Sequence, residues 1–242
     1  MEKDKIIASL KEDEEEKKGE VLEIKEDGIS YYDYDNDEIF FRFPEFCTKE
    51  NLEKIIYLGK KSKKRGLTAS HLSEAISTGF ESMNVPLSDA MCVLRGIIVF
   101  SNYTDLKKGL KKICPDEDID LILDIVDYDD MIENETIGKH LYSWQVALIN
   151  EKAIADFCAS DCDEILGYDE EYCSGIIITA IHECRHDMMD CNIFLPEEEY
   201  PLELASEEKV EKFARDAYDS LPSSLQEFEV NHEHVQKGVI NF

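Results

Sequence analysis

The feature that most constrains this chain is an apolar run that ends in a cluster of polar and charged side chains, SGIIITAIHECRHDMMDCN at residues 174–192. The start of the run is β-branched and by propensity alone suits a strand, whereas AIHECRHDMMD suits a helix. We predict one buried helix throughout. Polar side chains at the inner end of such a helix are unfavourable without partners. The fold must therefore provide partners for His182, Glu183 and His186.

The spacing of the two histidines predicts a metal site. In a helix, His182 and His186 lie on one face and one turn apart, where two imidazoles can bind one ion. Glu183 points about 100° around the axis, so its carboxylate can flank that ion without binding it. The alternative is a chance match of three polar residues on a half-buried helix, where a histidine is often only hydrogen-bonded.

Zinc suits such a pair of histidines, and it needs a third protein ligand with an open position for water. A histidine six residues after His186 is one familiar third ligand, but that position is Asn192. The other common choice is a glutamate on a later helix. Residues 205–218, ASEEKVEKFARDAY, predict such a helix, with Ser206 as a candidate N-cap.

Glu207 is the preferred third ligand because it lies on the apolar stripe of this second helix. The stripe consists of Val210, Phe213, Ala214, Ala217 and Tyr218. Glu211, four residues after Glu207, could accept a hydrogen bond from a ligating imidazole. Glu203 and Glu208 remain alternative ligands, because an error of one turn in the helix start would exchange them. Each of these glutamates is otherwise a solvated surface charge.

These motifs resemble the zincin-like metallopeptidases of the gluzincin type, in which HExxH lies on one helix and a glutamate ligand on the next. The resemblance covers residues 119–225, and WQVALIN is similar to the family's edge strand beside the cleft. In small intracellular, mobile-element-associated members the second motif reads E-x-E-A-(D/N)-x-F-A. Here it reads EEKVEKFA, with departures at Lys209, Val210 and Glu211.

The resemblance implies a zinc-dependent hydrolase that acts on a protein or peptide. Glu183 would take a proton from zinc-bound water as that water attacks an amide carbonyl. A further donor usually stabilises the oxyanion, and the candidates are Tyr200, Tyr218, His232 and His234. The alternative is a catalytically inactive zincin fold kept as a binding or regulatory module. Peptide deformylase is excluded, because the chain lacks that family's E-G-C-L-S and glycine-rich segments.

The expected fold is α+β, with a zincin-like domain at 119–242 in which a small mixed sheet packs on the motif helix. A region of short β segments followed by helices, at 1–118, precedes this domain. Its β segments fall in GEVLEIKEDGISYYDYDNDEIFFRF, with a turn at Asp27 and Gly28. Helical spacing is seen in NLEKIIYLGKK, TASHLSEAISTGFESM, LSDAMCVLRGIIVF and DLKKGLKKI, whereas DIDLILDIVDY and SWQVALIN are typical of strands.

Charge and cysteine content narrow the class of protein. A net charge of −29 repels phosphate backbones and anionic membranes, so neither nucleic acid nor a membrane is an expected partner. A charged N-terminus, without an apolar run of about 18 to 20 residues, leads us to expect a cytoplasmic protein. Its cysteines are then expected to be reduced. Cys158, Cys162 and Cys173 cluster most closely, but they lack the CxxC spacing of a structural zinc site. Nothing in the sequence indicates an oligomeric state.

Overall fold

A mixed four-stranded sheet with helices on both faces positions the motif helix, in a protein that is α+β and mostly helical. The computed structural model describes residues 19–24, 29–33, 38–42, 53, 55–85, 94–161, 165–190 and 207–226. The predicted α+β class with a small mixed sheet is therefore confirmed.

Three strands near the start of the chain form a separate antiparallel sheet of order β1-β2-β3. They are β1, Gly19–Ile24, β2, Ile29–Asp33, and β3, Glu38–Arg42. The short β segments predicted in this region are confirmed. The predicted turn at Asp27 and Gly28 lies outside the described residues.

The four-stranded sheet has the order β4-β5-β7-β6. Its strands are β4, Ile56–Tyr57, β5, Gly96–Phe100, β6, Gly138–Leu141, and β7, Val146–Asn150. The strands β4, β5 and β7 are parallel, whereas β6 lies at the edge and pairs antiparallel with β7. Every residue of β5 and β7 is buried, as is typical of strands that are covered on both faces.

The helices cover both faces of this sheet. In the described part of the chain they are α1, Lys60–Lys64, α2, Ala69–Ser82, α3, Tyr103–Ile113, α4, Ile119–Val126, α5, Tyr128–Glu133, α6, Glu151–Asp161, α7, Ile165–Asp190, α8, Glu207–Asp219, and α9, Ser223–Gln226. The motif belongs to α7, so the prediction of one helix through GIIIT and HECRH is confirmed. None of the described helices is both long enough and apolar enough for a membrane span.

Side chains of the central strands alternate between two apolar clusters, one on each face. On one face Ile97 and Val99 pack in a cluster with residues of α2, α6, α7 and α8. On the other face Ile98 and Phe100 pack in a cluster with residues of α3, α4 and α5. Both clusters and the sheet draw on residues from either side of the predicted boundary between 118 and 119.

The segment DIDLILDIVDY, which its β-branched residues predict to be a strand, is the helix α4, and the strand prediction is wrong. The Asp118 carboxylate caps this helix by accepting hydrogen bonds from two backbone N–H groups. Its buried residues follow helical spacing and are Ile119, Ile122, Leu123 and Val126. Leu121 and Ile125, on the opposite face, are each 53% exposed. Spacing and capping therefore outweigh β propensity here.

Two segments predicted to be helical contain strands, so the prediction is wrong for those parts. The GIIVF end of LSDAMCVLRGIIVF forms β5, and the dipeptide IY of NLEKIIYLGKK forms β4 beside it. Burial on both faces favours the strand, because a β-branched run can then pack on each side. The helical predictions for TASHLSEAISTGFESM and DLKKGLKKI are confirmed by α2 and α3.

The segment SWQVALIN forms a strand as predicted, but its predicted place at the sheet edge is wrong. Its strand, β7, lies between β5 and β6, and β6 is the edge strand. The preceding Tyr142–Trp144 forms a 3-10 turn, and Gln145 adopts a left-handed φ of 54°. This turn reverses the chain, so that GKHL pairs antiparallel with VALIN and takes the edge position.

A buried carboxylate, Glu151, joins three helices of the fold. It begins α6 and is 0% exposed. It accepts hydrogen bonds from the backbone N–H groups of Lys61 and Ser62 in α1, at 3.2 and 2.8 Å, and from the Ser62 hydroxyl. The Tyr172 hydroxyl of α7 donates a further one at 2.8 Å. A Cβ at Gly59 would overlap the Glu151 carboxylate, so glycine leaves room for it.

We predict that Glu151→Ala lowers the free energy of unfolding by about 3 kcal/mol, because each buried donor left unsatisfied costs about 1 to 3 kcal/mol. Urea denaturation followed by circular dichroism measures this change. The control is Asp156→Ala on the same helix, which removes an exposed ion pair with Lys152 and should change stability by less than about 1 kcal/mol. Equal effects of the two substitutions would contradict a structural role for Glu151.

Candidate metal centre

The two motif histidines lie side by side near the end of α7. Their Nε2 atoms are 3.0 Å apart, and their ring planes meet at 68°, with centroids 4.7 Å apart. This follows from their spacing of one helical turn. The His182 side chain is 14% exposed and that of His186 is 22% exposed, so both rings lie at the border between the core and a cleft.

Glu207, the first residue of α8, completes a group of three donors that we call the triad: His182, His186 and Glu207. The Glu207 carboxylate approaches His182 Nε2 to 3.1 Å with one oxygen and His186 Nε2 to 3.4 Å with the other. In a tetrahedral zinc site, with metal–donor distances of about 2.0 to 2.1 Å, neighbouring donor atoms lie about 3.3 Å apart. The donor types and their separations therefore fit a zinc ion.

Packing between α7 and α8 brings Glu207 to the histidines. The buried stripe of α8 is Val210, Phe213, Ala214 and Ala217, four of the five predicted residues, and the fifth, Tyr218, is half-buried. Arg185, one of the two variable residues of HECRH, is 2% exposed, and its guanidinium lies 4.9 Å from the centre of the Phe213 ring. A cation over an aromatic face is an attractive contact, which is stronger when it is shielded from water. Arg185 thus helps to hold the two helices together.

Glu211 lies near the second ring nitrogen of His182, Nδ1. Its Oε2 is 3.4 Å from Nδ1 of His182, and its Oε1 is 2.5 Å from a guanidinium nitrogen of Arg215. A carboxylate that accepts from Nδ1–H fixes the imidazole tautomer with Nε2 available for a metal. Glu211 is therefore placed where the sequence suggested it, with Arg215 orienting its carboxylate one turn farther along α8.

Glu183 points toward the edge strand β6. Its side chain lies against Gly138, where an added Cβ would overlap its carboxylate oxygen, and the residue is 5% exposed. Burial raises the pKa of Glu183 to about 8, with His140 opposing the shift and the negative charge of Glu207 adding to it. A buried carboxyl group with a perturbed pKa, beside two imidazoles and a second carboxylate, is typical of a functional site.

A cleft of about 800 Å³ opens beside the triad, with Glu183 in its wall. It is lined by residues of the edge strand β6, of α6 and α7, and of α8 beside the triad. Beyond the triad the lining is mixed: Ile154, Phe157 and Ile178 are apolar, whereas Lys139, Glu171, Ser174 and Arg215 are polar or charged. Its size is within the range of about 300 to 1,000 Å³ that ligand sites occupy.

Three residues of this region were missed by sequence reasoning: Gly138, His140 and Asp187. The His140 Nε2 lies 2.7 Å from Asp187 Oδ1, and their side chains are 7% and 1% exposed. Because side chains alternate along a strand, Gly138 and His140 lie on the same face of GKHL. The sequence indicates this pairing only if the segment is first predicted to be a strand. Asp187 directly follows the motif and had no assigned role.

The other predicted residues divide into those placed elsewhere and those outside the described part of the chain. The Tyr218 hydroxyl hydrogen-bonds the Ser174 hydroxyl at 2.6 Å. Ser174 precedes His182 by about 12 Å along the helix axis, so Tyr218 lies away from the triad.

Glu208 is exposed beside Glu207. Tyr200, Glu203, Ser206, His232 and His234 lie outside the described residues, as does Cys162, while Cys158 and Cys173 are buried thiols.

Comparison of the chain with known proteins identifies no relative. No protein-family model, curated protein or solved structure matches the chain significantly. The candidate centre is therefore described by its own geometry, which is two imidazoles and a carboxylate around one point, with a buried carboxyl group beside them.

We predict that His182→Ala, His186→Ala and Glu207→Gln each abolish stoichiometric zinc binding, because each removes one of three donors. Glu211→Gln should weaken zinc affinity by about 10- to 100-fold, the usual effect of losing an outer partner of a metal ligand. Metal analysis and competition with a chromophoric chelator measure both effects.

Glu208→Gln is the matched control for Glu207→Gln, since it changes the adjacent exposed glutamate. It should leave zinc affinity unchanged. If Glu208→Gln weakened zinc binding as much as Glu207→Gln, the assignment of the third donor would be wrong.

Proposed function

We propose that the protein is a zinc-dependent hydrolase of peptide bonds, related in mechanism to the zincin-like metallopeptidases. The observation that carries this proposal is the convergence of three donors within 4.8 Å of one another, next to the buried Glu183 and a cleft. His182, His186 and Glu207 would hold the ion. Glu183, which lies beside these three residues, would then transfer protons.

Zinc, when bound, acts as a Lewis acid and lowers the pKa of a water ligand to about 7. The protein's own contribution is the handling of protons at Glu183. Its carboxylate would accept a proton from the attacking water as the oxygen adds to the amide carbonyl carbon. It would return that proton to the amine nitrogen when the C–N bond breaks. Positive charge at the triad favours the ionised form of Glu183 that this role requires.

The edge strand supports a peptide as the substrate. In the described residues β6 pairs with β7 on one side only, and its residues Gly138 and His140 face the cleft. An extended peptide can add to such an edge through its main-chain hydrogen bonds. Apolar side chains of the peptide would then contact Ile154, Phe157 and Ile178. A cleft with these properties suits an extended chain better than a compact small molecule.

A second candidate function is a binding or regulatory module without catalysis. The observation in its favour is the burial of Glu183, which raises its pKa to about 8. Without positive charge nearby, this carboxyl group is mostly protonated at neutral pH and cannot accept a proton. The two candidates therefore differ in whether Glu183 is needed for what the protein does.

Glu183→Gln separates the two candidates. The amide keeps the shape of the side chain but cannot act as a proton acceptor, so we expect hydrolysis to fall by about 10²- to 10⁴-fold. Zinc content and thermal stability should be unchanged. The assay uses zinc-loaded protein with a broad peptide mixture and with lysate proteins, and mass spectrometry detects new termini.

Glu208→Gln again serves as the control and should retain wild-type cleavage. Cleavage that persists in Glu183→Gln would indicate a different mechanism or a contaminant. Absence of cleavage in every variant, combined with partner binding that does not depend on Glu183, would favour the second candidate.

Gly138→Ala tests the position of Glu183 without altering any triad residue. The added methyl group would overlap the Glu183 carboxylate and displace it. We expect kcat to fall by about 100-fold, since a misplacement of about 1 Å in a catalytic group has an effect of this size. Zinc affinity measured by chelator competition should be unchanged. Full activity in this variant would show that Glu183 need not lie against β6.

A further inference from the structure

The edge strand β6 contacts α7 at two successive positions along the helix. Gly138 lies against Thr179 and Glu183, and two residues later His140 contacts Asp187. Two strand residues advance by about 6.7 Å, and four helical residues advance by about 6 Å. The two contacts are therefore equivalent, one helical turn apart on the same face of α7.

The contact between His140 and Asp187 is direct and shielded from water. The distance from His140 Nε2 to Asp187 Oδ1 is 2.7 Å, and the side chains are 7% and 1% exposed. An exposed pair of this kind contributes little to stability, whereas removing one partner of a buried pair leaves an uncompensated polar group. The pair thus resists separation of the strand from the helix.

The position of β6 determines the space that Glu183 occupies. Glu183 is 5% exposed, and its carboxyl group lies directly against Gly138, without an intervening side chain. In the described residues β6 has only β7 as a strand partner, and its residues Gly138 and His140 contact α7. A shift of the strand would change the surface on which the Glu183 carboxylate rests.

We propose that His140 is a positioning residue, which acts through Asp187 to hold β6 against α7 and so sets the orientation of Glu183 in the cleft. We call the His140–Asp187 contact the strand clamp. Its catalytic consequence rests on the proposed hydrolase function. Its structural consequence, the attachment of β6 to α7, does not rest on that function.

Two substitutions at His140 test this role in the full-length, zinc-loaded protein. His140→Leu fills the same space without a hydrogen-bond donor, and we expect kcat to fall by about 10- to 100-fold, as for other groups that orient a functional side chain. Zinc affinity should be unchanged. Amide hydrogen exchange at residues 139–141 should become faster, with exchange in β5 unaffected.

His140→Gln is the conservative variant, because its side-chain amide can donate a hydrogen bond to Asp187. It should restore most of the lost kcat and slow the exchange of β6 again. His71→Gln is the matched control, since the His71 ring hydrogen-bonds the backbone carbonyl of Leu225 at 3.2 Å in another part of the protein. It should leave kcat and the exchange of β6 unchanged.

Asp187→Asn provides a second route if His140→Leu does not fold. It keeps the shape and an acceptor oxygen but removes the charge, so it should give a smaller fall in kcat and a smaller increase in β6 exchange. The proposal is overturned if the folded variant leaves both quantities unchanged. It is also overturned if zinc affinity falls in parallel with kcat, because the pair would then act on the metal centre.

If the wild-type protein hydrolyses no peptide, the proposed function fails while the strand clamp remains testable. Hydrogen exchange at residues 139–141 then decides it without reference to activity. Faster exchange in His140→Leu, reversed in His140→Gln, supports the clamp. Equal exchange in all three proteins overturns it.

Discussion

Burial of α7 between the sheet and α8 is the constraint on which the candidate centre depends. Ile176, Ile177, Ala180 and Ile181 are fully buried, which fixes the rotation of the helix about its axis. That rotation turns both motif histidines toward α8 and the intervening glutamate toward β6. The apolar part of the run therefore orients its polar part. Once one face of a helix is buried, the directions of its other side chains are fixed. The two histidines therefore face Glu207, whereas Glu183 lies against Gly138.

The parts of the site that were predictable are those fixed within a single helix. The relation of His182 to His186, and that of Glu207 to Glu211, follow from a period of 3.6 residues. The apolar residues of the two helices share one cluster, and Arg185 of α7 also contacts Phe213 of α8. Contacts between distant segments were not predictable in this way. His140 meets Asp187 across 47 residues of sequence, and that contact requires GKHL to be an edge strand, which local propensity does not reveal.

The same distinction explains the errors in the fold. In α4, β-branched residues suggested a strand, but the Asp118 cap and the spacing of the buried residues favoured a helix. In GIIVF the surrounding sequence suggested a helix, but a position between two layers of helices favoured a strand. Burial on both faces is a property of the whole fold. A short stretch of sequence shows which residues could form a buried strand, but not whether helices will cover both faces of that strand.

The position of Glu207 at the very start of α8 has a consequence for the pairing of α7 with α8. A cation shared by His186 and Glu207 would be a reversible cross-link between these two helices. A ligand that binds only the paired arrangement stabilises that arrangement. The stability of the helix pair would then rise with the concentration of the ion, through a single exposed carboxylate.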